Sequence, residues 1–141
     1  MKSNTAKVFV QGGPADSYGD STRSVFDEHG YQIVLEIDRA DVVVWTGGAD
    51  INPNIYGQKN LFSSYNSKRD VSDLDAVRLA GDKFKVGICR GAQLLNCVPN
   101  NGTLWQDCDH HVGNHPVRDI LTGEEFQINS YHHQQVRLTH D

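Results

Sequence analysis

The segment FKVGICRGAQLLN, residues 84–96, places a cysteine between two glycines where an apolar run gives way to a helical pattern. Phe84–Ile88 predicts a buried β-strand, and Arg90–Val98 predicts a short helix directly after it. The turn between them is a G-x-C-x-G sequence centred on Cys89. Such a turn is strained and closely packed, which favours glycine on both sides of the central residue. The serine form of this pattern is the nucleophile elbow of hydrolases, so the segment predicts that Cys89 is a nucleophile.

The position of Cys89 also has electrostatic consequences. A thiol at the start of a helix lies where the helix dipole stabilises a thiolate. The backbone N–H of Arg90, the next residue, can donate to a developing oxyanion. Burial as a small apolar residue is the commoner role of a free cysteine, but the glycines and the strand–turn–helix context favour the nucleophile. Cys97, inside the predicted helix, fits the core instead, and the role of Cys108, in a loop among histidines, stays open.

A second glycine motif follows another predicted strand. Val42–Thr46 is almost wholly apolar and ends in Gly47-Gly48, where a polar segment reaching residue 69 begins. Paired glycines let backbone amides approach a ligand. Gly48 is therefore the predicted second oxyanion donor, facing Cys89. A loop of this length inside a compact domain is usually functional.

The rest of the chain extends this alternation of strands and helices. Further strands are predicted at Ala6–Gln11 and Tyr31–Ile37. One helix is predicted from an N-cap at Asp20–Thr22 to His29, and another from a capping box at Ser72 to Gly81. The predicted inner faces of these helices are Val25 and Phe26 in the first, and Leu74, Val77 and Leu79 in the second. The alternation predicts an α/β fold, with a mainly parallel open sheet, helices on both faces and a single domain over residues 1–141.

Beyond Pro99 the pattern changes to short strands and turns. The predicted strands are Thr103–Gln106, Val117–Leu121, Phe126–Ser130 and Val136–Leu138, with a hairpin turn at Thr122–Glu124.

The composition narrows the classes of function. The chain has 141 residues, of which 13 are basic and 18 acidic, giving a net charge of −5. This balance does not favour nucleic acid binding, which usually calls for a basic domain. No apolar run is long enough to cross a bilayer, so no membrane association is expected. Three cysteines and no secretory signal favour a reduced, cytoplasmic setting.

Four segments, in the order TGGADINPNIYG, GICRGAQLLN, LWQD and NSYHHQ, resemble class I glutamine amidotransferases. They are most similar to the γ-glutamyl hydrolase branch, peptidase family C26, which includes γ-glutamyl-γ-aminobutyrate hydrolase. The resemblance covers roughly residues 42–138. It implies a flavodoxin-like fold, a small-molecule γ-glutamyl amide substrate and no cofactor. A synthetase partner or a homo-oligomer is also compatible with it.

The resemblance implies a role for each matching residue. Cys89 would attack the δ-carbonyl of a γ-glutamyl amide and form a glutamyl thioester, with the N–H groups of Gly48 and Arg90 holding the oxyanion. The segment around Ser130 and Tyr131 would contact the amino and carboxylate groups of the substrate. The implied substrate-binding residues are Gly47, Asp50, Gln93, Ser130, Tyr131 and His133.

One part of the family pattern is not found. The family base is the histidine of a His-Pro-Glu motif located after the NSYHHQ segment, whereas here His115-Pro116 lies before that segment and is followed by Val117. We therefore expect a chain that lacks its last strands. Two alternatives stay open: a partner chain completes a glutaminase subunit, or the domain binds ligand without catalysis. Within the sequence, His132 is the candidate base, with His133 as the other possibility.

A histidine-rich loop also contains ligand types that zinc prefers. It comprises Cys108, Asp109, His110, His111 and His115. The spacing matches neither a zinc finger nor a helical H-x-x-x-H pair, so no metal site is predicted.

Overall fold

The computed structural model describes residues 5–12, 17–108 and 112–137. Its helices are α1 (Ser17–Glu28), α2 (Ser67–Ala80) and α3 (Arg90–Cys97), with 3-10 turns at Ile37–Arg39 and Pro53–Tyr56. Its strands are β1 (Lys7–Gln11), β2 (Gln32–Ile33), β3 (Val42–Trp45), β4 (Phe84–Gly87), β5 (Thr103–Trp105), β6 (Val112–Arg118), β7 (Glu125–Tyr131) and β8 (Gln135–Arg137). The first four strands form a parallel sheet in the order β2-β1-β3-β4. Two antiparallel pairs, β5 with β8 and β6 with β7, complete the described structure.

Helices cover both faces of the parallel sheet, which confirms the predicted fold class. On one face, Val8, Val10 and Val44 are buried and Phe26 of α1 packs against them. On the other face, the core combines residues of β3, α2 and α3. Its members include Val43, Trp45, Ala76, Ala80, Leu94 and Cys97. Parallel strands bury both faces, so the strands read as apolar runs.

The strand predicted at Tyr31–Ile37 is wrong in extent. The structure pairs only β2 with β1, and the chain then turns away through a 3-10 turn. The reason is the parallel register, in which Val8 pairs with Ile33 on one side and Val42 on the other. The intervening residues must carry the chain back across the sheet, and a strand reaching residue 37 would leave too few of them.

Both predicted helix starts are also wrong. The helix α1 begins at Ser17, and the hydroxyls of Ser21 and Thr22 donate to carbonyls four residues earlier instead of capping the helix. The helix α2 begins five residues before the capping box. Its N-cap is Asn66, whose side chain accepts from the N–H groups of the second and third helical residues at 3.1 Å each. Asn is among the strongest N-cap residues.

Two predicted inner-face residues lie outside the core. Val25 is 54% exposed on α1, and Leu79 is 56% exposed on α2. In α2, the buried positions are taken by two small alanines and by two acidic residues, Asp70 and Asp73. The other three predicted residues, Phe26, Leu74 and Val77, do pack against the core, so the apolar spacing marked the inner faces only in part.

The predicted hairpin turn at Thr122–Glu124 is confirmed, but its strands are offset. The first strand spans residues 112–118, so Ile120 and Leu121 lie exposed in the turn. Asp119 Oδ1 accepts from the backbone N–H groups of Leu121 and Thr122, which lowers the pKa of that carboxyl and organises the turn. In the described part of the chain, no helix is long and apolar enough to span a bilayer.

Candidate active site

The turn around Cys89 has the strained geometry that the sequence predicted. Cys89 has a φ of 53°, a conformation that non-glycine residues rarely adopt, and its side chain is exposed. The backbone on either side is fixed, because the Ile88 N–H donates to the Trp45 carbonyl at 2.9 Å and the Gly91 N–H to the Ile88 carbonyl at 2.9 Å. This arrangement presents the thiol at the end of β4 and the start of α3.

The two glycines that flank this turn are required by close backbone contacts. A Cβ on Gly87 would overlap the backbone of Gly91 and Ala92, and a Cβ on Gly91 would overlap the Trp45 carbonyl. The overlapping atoms belong to the main chain, so they cannot move aside as a flexible side chain would.

We expect Gly91→Ala to lower the free energy of unfolding by about 2–3 kcal/mol, because its methyl group meets the β3 backbone. Gly47→Ala is the matched control, since a Cβ there would lie 3.7 Å from Cys89 Cβ, an ordinary contact. Urea unfolding of both variants measures the difference. Equal stability of the two variants would contradict the packing argument.

The predicted oxyanion donors come from two adjacent segments. Trp45 pairs with Gly87 in the parallel sheet, so the segments after β3 and β4 leave the sheet side by side at the carboxyl ends of the strands. Gly48 has a φ of 147°, and a Cβ on it would lie 3.5 Å from Arg90 Cδ. Arg90 is the first residue of α3, so its N–H has no acceptor within the helix. Both predicted donors therefore belong to segments that adjoin Cys89, and their role as oxyanion donors stays a prediction.

The side chain of Arg90 has a separate role that the sequence did not suggest. It is 1% exposed and forms ion pairs with Asp70, at 2.6 Å, and with Asp73. Asp73 also accepts from Arg69 Nε at 2.9 Å, and Arg69 donates to Thr46 Oγ1 at 3.1 Å. We call these residues, Arg69, Asp70, Asp73 and Arg90, the buried charge cluster. It ties the start of α2 to the ends of β3 and β4.

Burial dominates the electrostatics of one member of this cluster. Desolvation raises the pKa of the Asp70 carboxyl, and the adjacent Arg90 guanidinium only partly offsets it. Ionising the Asp70 carboxyl therefore costs desolvation free energy, which the ion pair with Arg90 partly offsets.

A cavity of about 940 Å³ opens in front of Cys89. It brings together every residue of the predicted site except Arg90, whose side chain is buried. The residues of the predicted site that line the cavity are Gly47, Gly48, Asp50, Cys89, Gln93, Ser130, Tyr131, His132 and His133. Residues distant in sequence therefore surround one space, at the edge of the sheet where open α/β folds bind ligands.

The histidine pair in this cavity divides into two different environments. His132 Nδ1 donates to the Gln134 carbonyl at 2.9 Å, so in the neutral ring Nε2 carries the lone pair. His133 Nε2 lies 2.9 Å from Asp50 Oδ2, and its Nδ1 lies 3.8 Å from Asp107. His133 is therefore bound between two carboxylates.

Asp50 links this histidine to the loop after β3. Its Oδ2 also accepts from the Ser64 N–H at 2.9 Å. The Asp50 carboxylate therefore joins the loop after β3 to the segment that contains His133, and both Asp50 and His133 line the cavity.

Some cavity residues were missed by the sequence analysis. Tyr18, Ser21 and Thr22 of α1 form part of the wall, which the misplaced helix start concealed. Gln134 is 1% exposed, and its carbonyl accepts from Gln93 Nε2 at 3.1 Å. Its place as the last residue of NSYHHQ was the available signal.

The histidine-rich loop falls mostly outside the described residues, which exclude Asp109, His110 and His111. Within the described ranges, no group of three metal-ligating side chains converges. Cys108 Sγ lies 3.8 Å from Gln135 Oε1. The expectation about a metal in this loop therefore stays untested.

Comparison with known proteins gives consistent matches. A model of the family described as Peptidase C26 matches residues 26–141. The chain is 30% identical to the YvdE homologue, a glutamine amidotransferase-like protein of Lactococcus lactis subsp. cremoris, over 80% of this chain and 78% of that protein. It is 29% identical to YvdE of Lactococcus lactis subsp. lactis, over 80% of this chain and 62% of that protein.

A solved structure of similar fold is a glutamine amidotransferase from Thermotoga maritima. The TM-score is 0.61 at 13% sequence identity, and the match covers 95% of this chain and 63% of that one. At that identity the likeness concerns the fold. The chain thus spans less than two thirds of the length of this protein and of the second relative.

Proposed function

The chain belongs to the peptidase C26 family, and we propose that it is a cysteine amidohydrolase or glutaminase that cleaves γ-glutamyl amides. The observation that carries the proposal is the strained Cys89, with its side chain exposed to a large cavity beside two backbone donors. A nucleophile, an oxyanion site and a substrate-sized space are the parts that acyl transfer needs.

The proposed reaction proceeds in two steps. The Cys89 thiolate attacks the δ-carbonyl of the γ-glutamyl group, a C–S bond forms, and the N–H groups of Gly48 and Arg90 hold the oxyanion. Collapse of this intermediate breaks the C–N bond, and the leaving amine takes up a proton. Water then attacks the thioester and releases glutamate and the thiol.

His132 is the proposed general base within the described cavity. Its Nδ1 is occupied by the Gln134 carbonyl, which leaves Nε2 as the proton-accepting atom. Neutral imidazole in this tautomer is the form that a base for a thiol requires. His133, bound by Asp50, is better suited to positioning the substrate segment.

Labelling with a glutamine-mimicking diazoketone tests the proposed function directly. We expect a single adduct at Cys89, located by intact mass and peptide mapping, and slower labelling in the presence of glutamine. Such protection would require a γ-glutamyl pocket next to an activated thiol. If iodoacetamide modifies Cys89 while the diazoketone does not, the proposed substrate class is wrong.

We expect His132→Asn to slow diazoketone labelling of Cys89 at pH 7 by about 100-fold or more, the usual contribution of a positioned base. His29→Ala is the control, because His29 is exposed just after α1 and, among the described contacts, bonds only to the Val25 carbonyl of that helix. The rate of mass increase measures the effect. An unchanged rate in His132→Asn would assign the base to another group.

A second candidate function is a glutaminase subunit that acts with a partner chain. The strand β4 pairs only with β3 among the described strands. Near it, Phe84 is 70% exposed and Ile88, next to the nucleophile, is 43% exposed. An open edge beside the active thiol is a place where another polypeptide could bind. This version would be favoured over hydrolysis if the chain co-purified with an acceptor synthetase and the ammonia released from glutamine appeared in the product of that synthetase.

A further inference from the structure

A histidine outside the cavity contacts one of the residues that line it. His115 Nε2 lies 2.7 Å from Ser130 Oγ, and Ser130 lines the cavity in front of Cys89. The strand register explains the contact. His115 pairs with Ile128, and Ser130 pairs with Gly113, so the two side chains are diagonal neighbours on one face of the hairpin.

The direction of this hydrogen bond follows from the second ring nitrogen. His115 Nδ1 lies 3.3 Å from the Pro116 carbonyl, which can only accept. That carbonyl favours a proton on Nδ1, and in this neutral tautomer Nε2 is an acceptor. In this tautomer the Ser130 hydroxyl donates its proton to Nε2, and the lone pairs of Ser130 Oγ are left for a ligand.

We propose that His115 is a positioning residue that holds Ser130 Oγ as a hydrogen-bond acceptor for the α-ammonium group of a γ-glutamyl substrate. The inference rests on the proposed function. It adds the residue that lets the enzyme distinguish a γ-glutamyl amide, which has an α-amino group, from a dicarboxylic acid amide that lacks one. Without His115, the hydroxyl can rotate and point its proton into the cavity, where it would repel an ammonium group. A substrate that lacks the amino group should be indifferent to this change.

The test compares two chromogenic substrates that differ only in the amino group, γ-glutamyl p-nitroanilide and glutaryl p-nitroanilide. We expect the wild type to prefer the γ-glutamyl substrate in kcat/KM. Ser130→Ala and His115→Ala should each reduce that preference by about tenfold or more, as loss of a bond to a charged group does, chiefly through KM. Because the two residues act through one bond, the double variant should lose little more than either single variant.

Two further variants separate positioning from folding. In His115→Gln, the side-chain oxygen can still accept from Ser130, so part of the preference should return. Gln127 is exposed on β7, the strand that contains Ser130, and lies outside the cavity, so Gln127→Ala should keep the wild-type preference. A His115→Ala enzyme with an unchanged ratio between the two substrates overturns the proposal. Hydrolysis of both substrates by the wild type without preference overturns it too, while the proposed function stands.

Binding distinguishes failure of the inference from failure of the proposed function. Calorimetry on the Cys89→Ser variant compares L-glutamate with glutarate. If the wild type hydrolyses neither substrate, but glutamate binds more tightly than glutarate and His115→Ala removes the difference, the proposed reaction fails and the inference stands. Equal affinity for the two ligands overturns the inference.

Discussion

Replacing Cys89 with serine is expected to lower the rate of γ-glutamyl amide hydrolysis by about 10⁴-fold or more. The hydroxyl would occupy the same strained turn, but it ionises far less readily than a thiol and is a much weaker nucleophile. Removing the nucleophile of a covalent enzyme costs factors of this order, and the residual rate comes from the oxyanion donors and binding. Release of p-nitroaniline from γ-glutamyl p-nitroanilide provides the measurement.

The other two cysteines supply the controls for this experiment. Cys108→Ser changes a partly exposed thiol outside the cavity and should leave the rate within about twofold of the wild type. Burial raises the pKa of the Cys97 thiol to about 12, so Cys97 should resist alkylation near neutral pH. If Cys89→Ser retained hydrolysis while Cys108→Ser abolished it, the nucleophile assignment would be wrong.

The elbow could be predicted from sequence because its geometry is local. Residues 84–96 contain the strand, the turn, both glycines and most of the helix, so a short window contains the pattern, although the contact that requires Gly91 is with Trp45 of β3. The overlap that a Cβ on Gly87 would make with Ala92 lies within that window. The glycine pair after Thr46 was singled out in the same way, from its place at the end of an apolar strand, and it lines the cavity in front of Cys89.

The parts that could not be predicted depend on contacts between distant residues. The sequence analysis assigned no buried role to Asp70 or Asp73, because nothing near them in sequence shows that Arg90 pairs with them. The apolar pattern that marks a buried helix face was therefore weak at the start of α2. The α1 wall of the cavity was missed for a related reason, because Ser21 and Thr22 are typical N-cap residues that here bond within the helix.

These long-range charges also explain how two separate loops keep one geometry. Arg90 provides a predicted oxyanion donor from its backbone and a buried guanidinium from its side chain. Through Asp73 and Arg69, that guanidinium is connected to Thr46, which precedes the glycine pair. A displacement of α2 would therefore alter the spacing between the two donors. We therefore expect stability and the predicted oxyanion geometry to depend on the same cluster.

Asp73→Ala is accordingly expected to lower the free energy of unfolding by about 3–5 kcal/mol. Asp73 is fully buried and accepts from Arg90, Arg69 and Gln11, so its loss removes one acceptor from each of two guanidinium groups and an amide, and removes one buried counter-charge. Asp73→Asn keeps the volume but removes the charge and should lose most of the same stability. Urea unfolding followed by circular dichroism measures both values.

The matched control lies two residues further along the same helix. Asp75 is 61% exposed and pairs with Arg78 at 3.4 Å, and such a surface pair contributes less than about 1 kcal/mol. Asp75→Ala should therefore unfold almost as the wild type does. If Asp73→Ala and Asp75→Ala had equal stability, the buried charge cluster would not stabilise the fold. Under conditions where Asp73→Ala stays folded, its kcat should still fall, because Arg90 and Gly48 would no longer be held at one spacing.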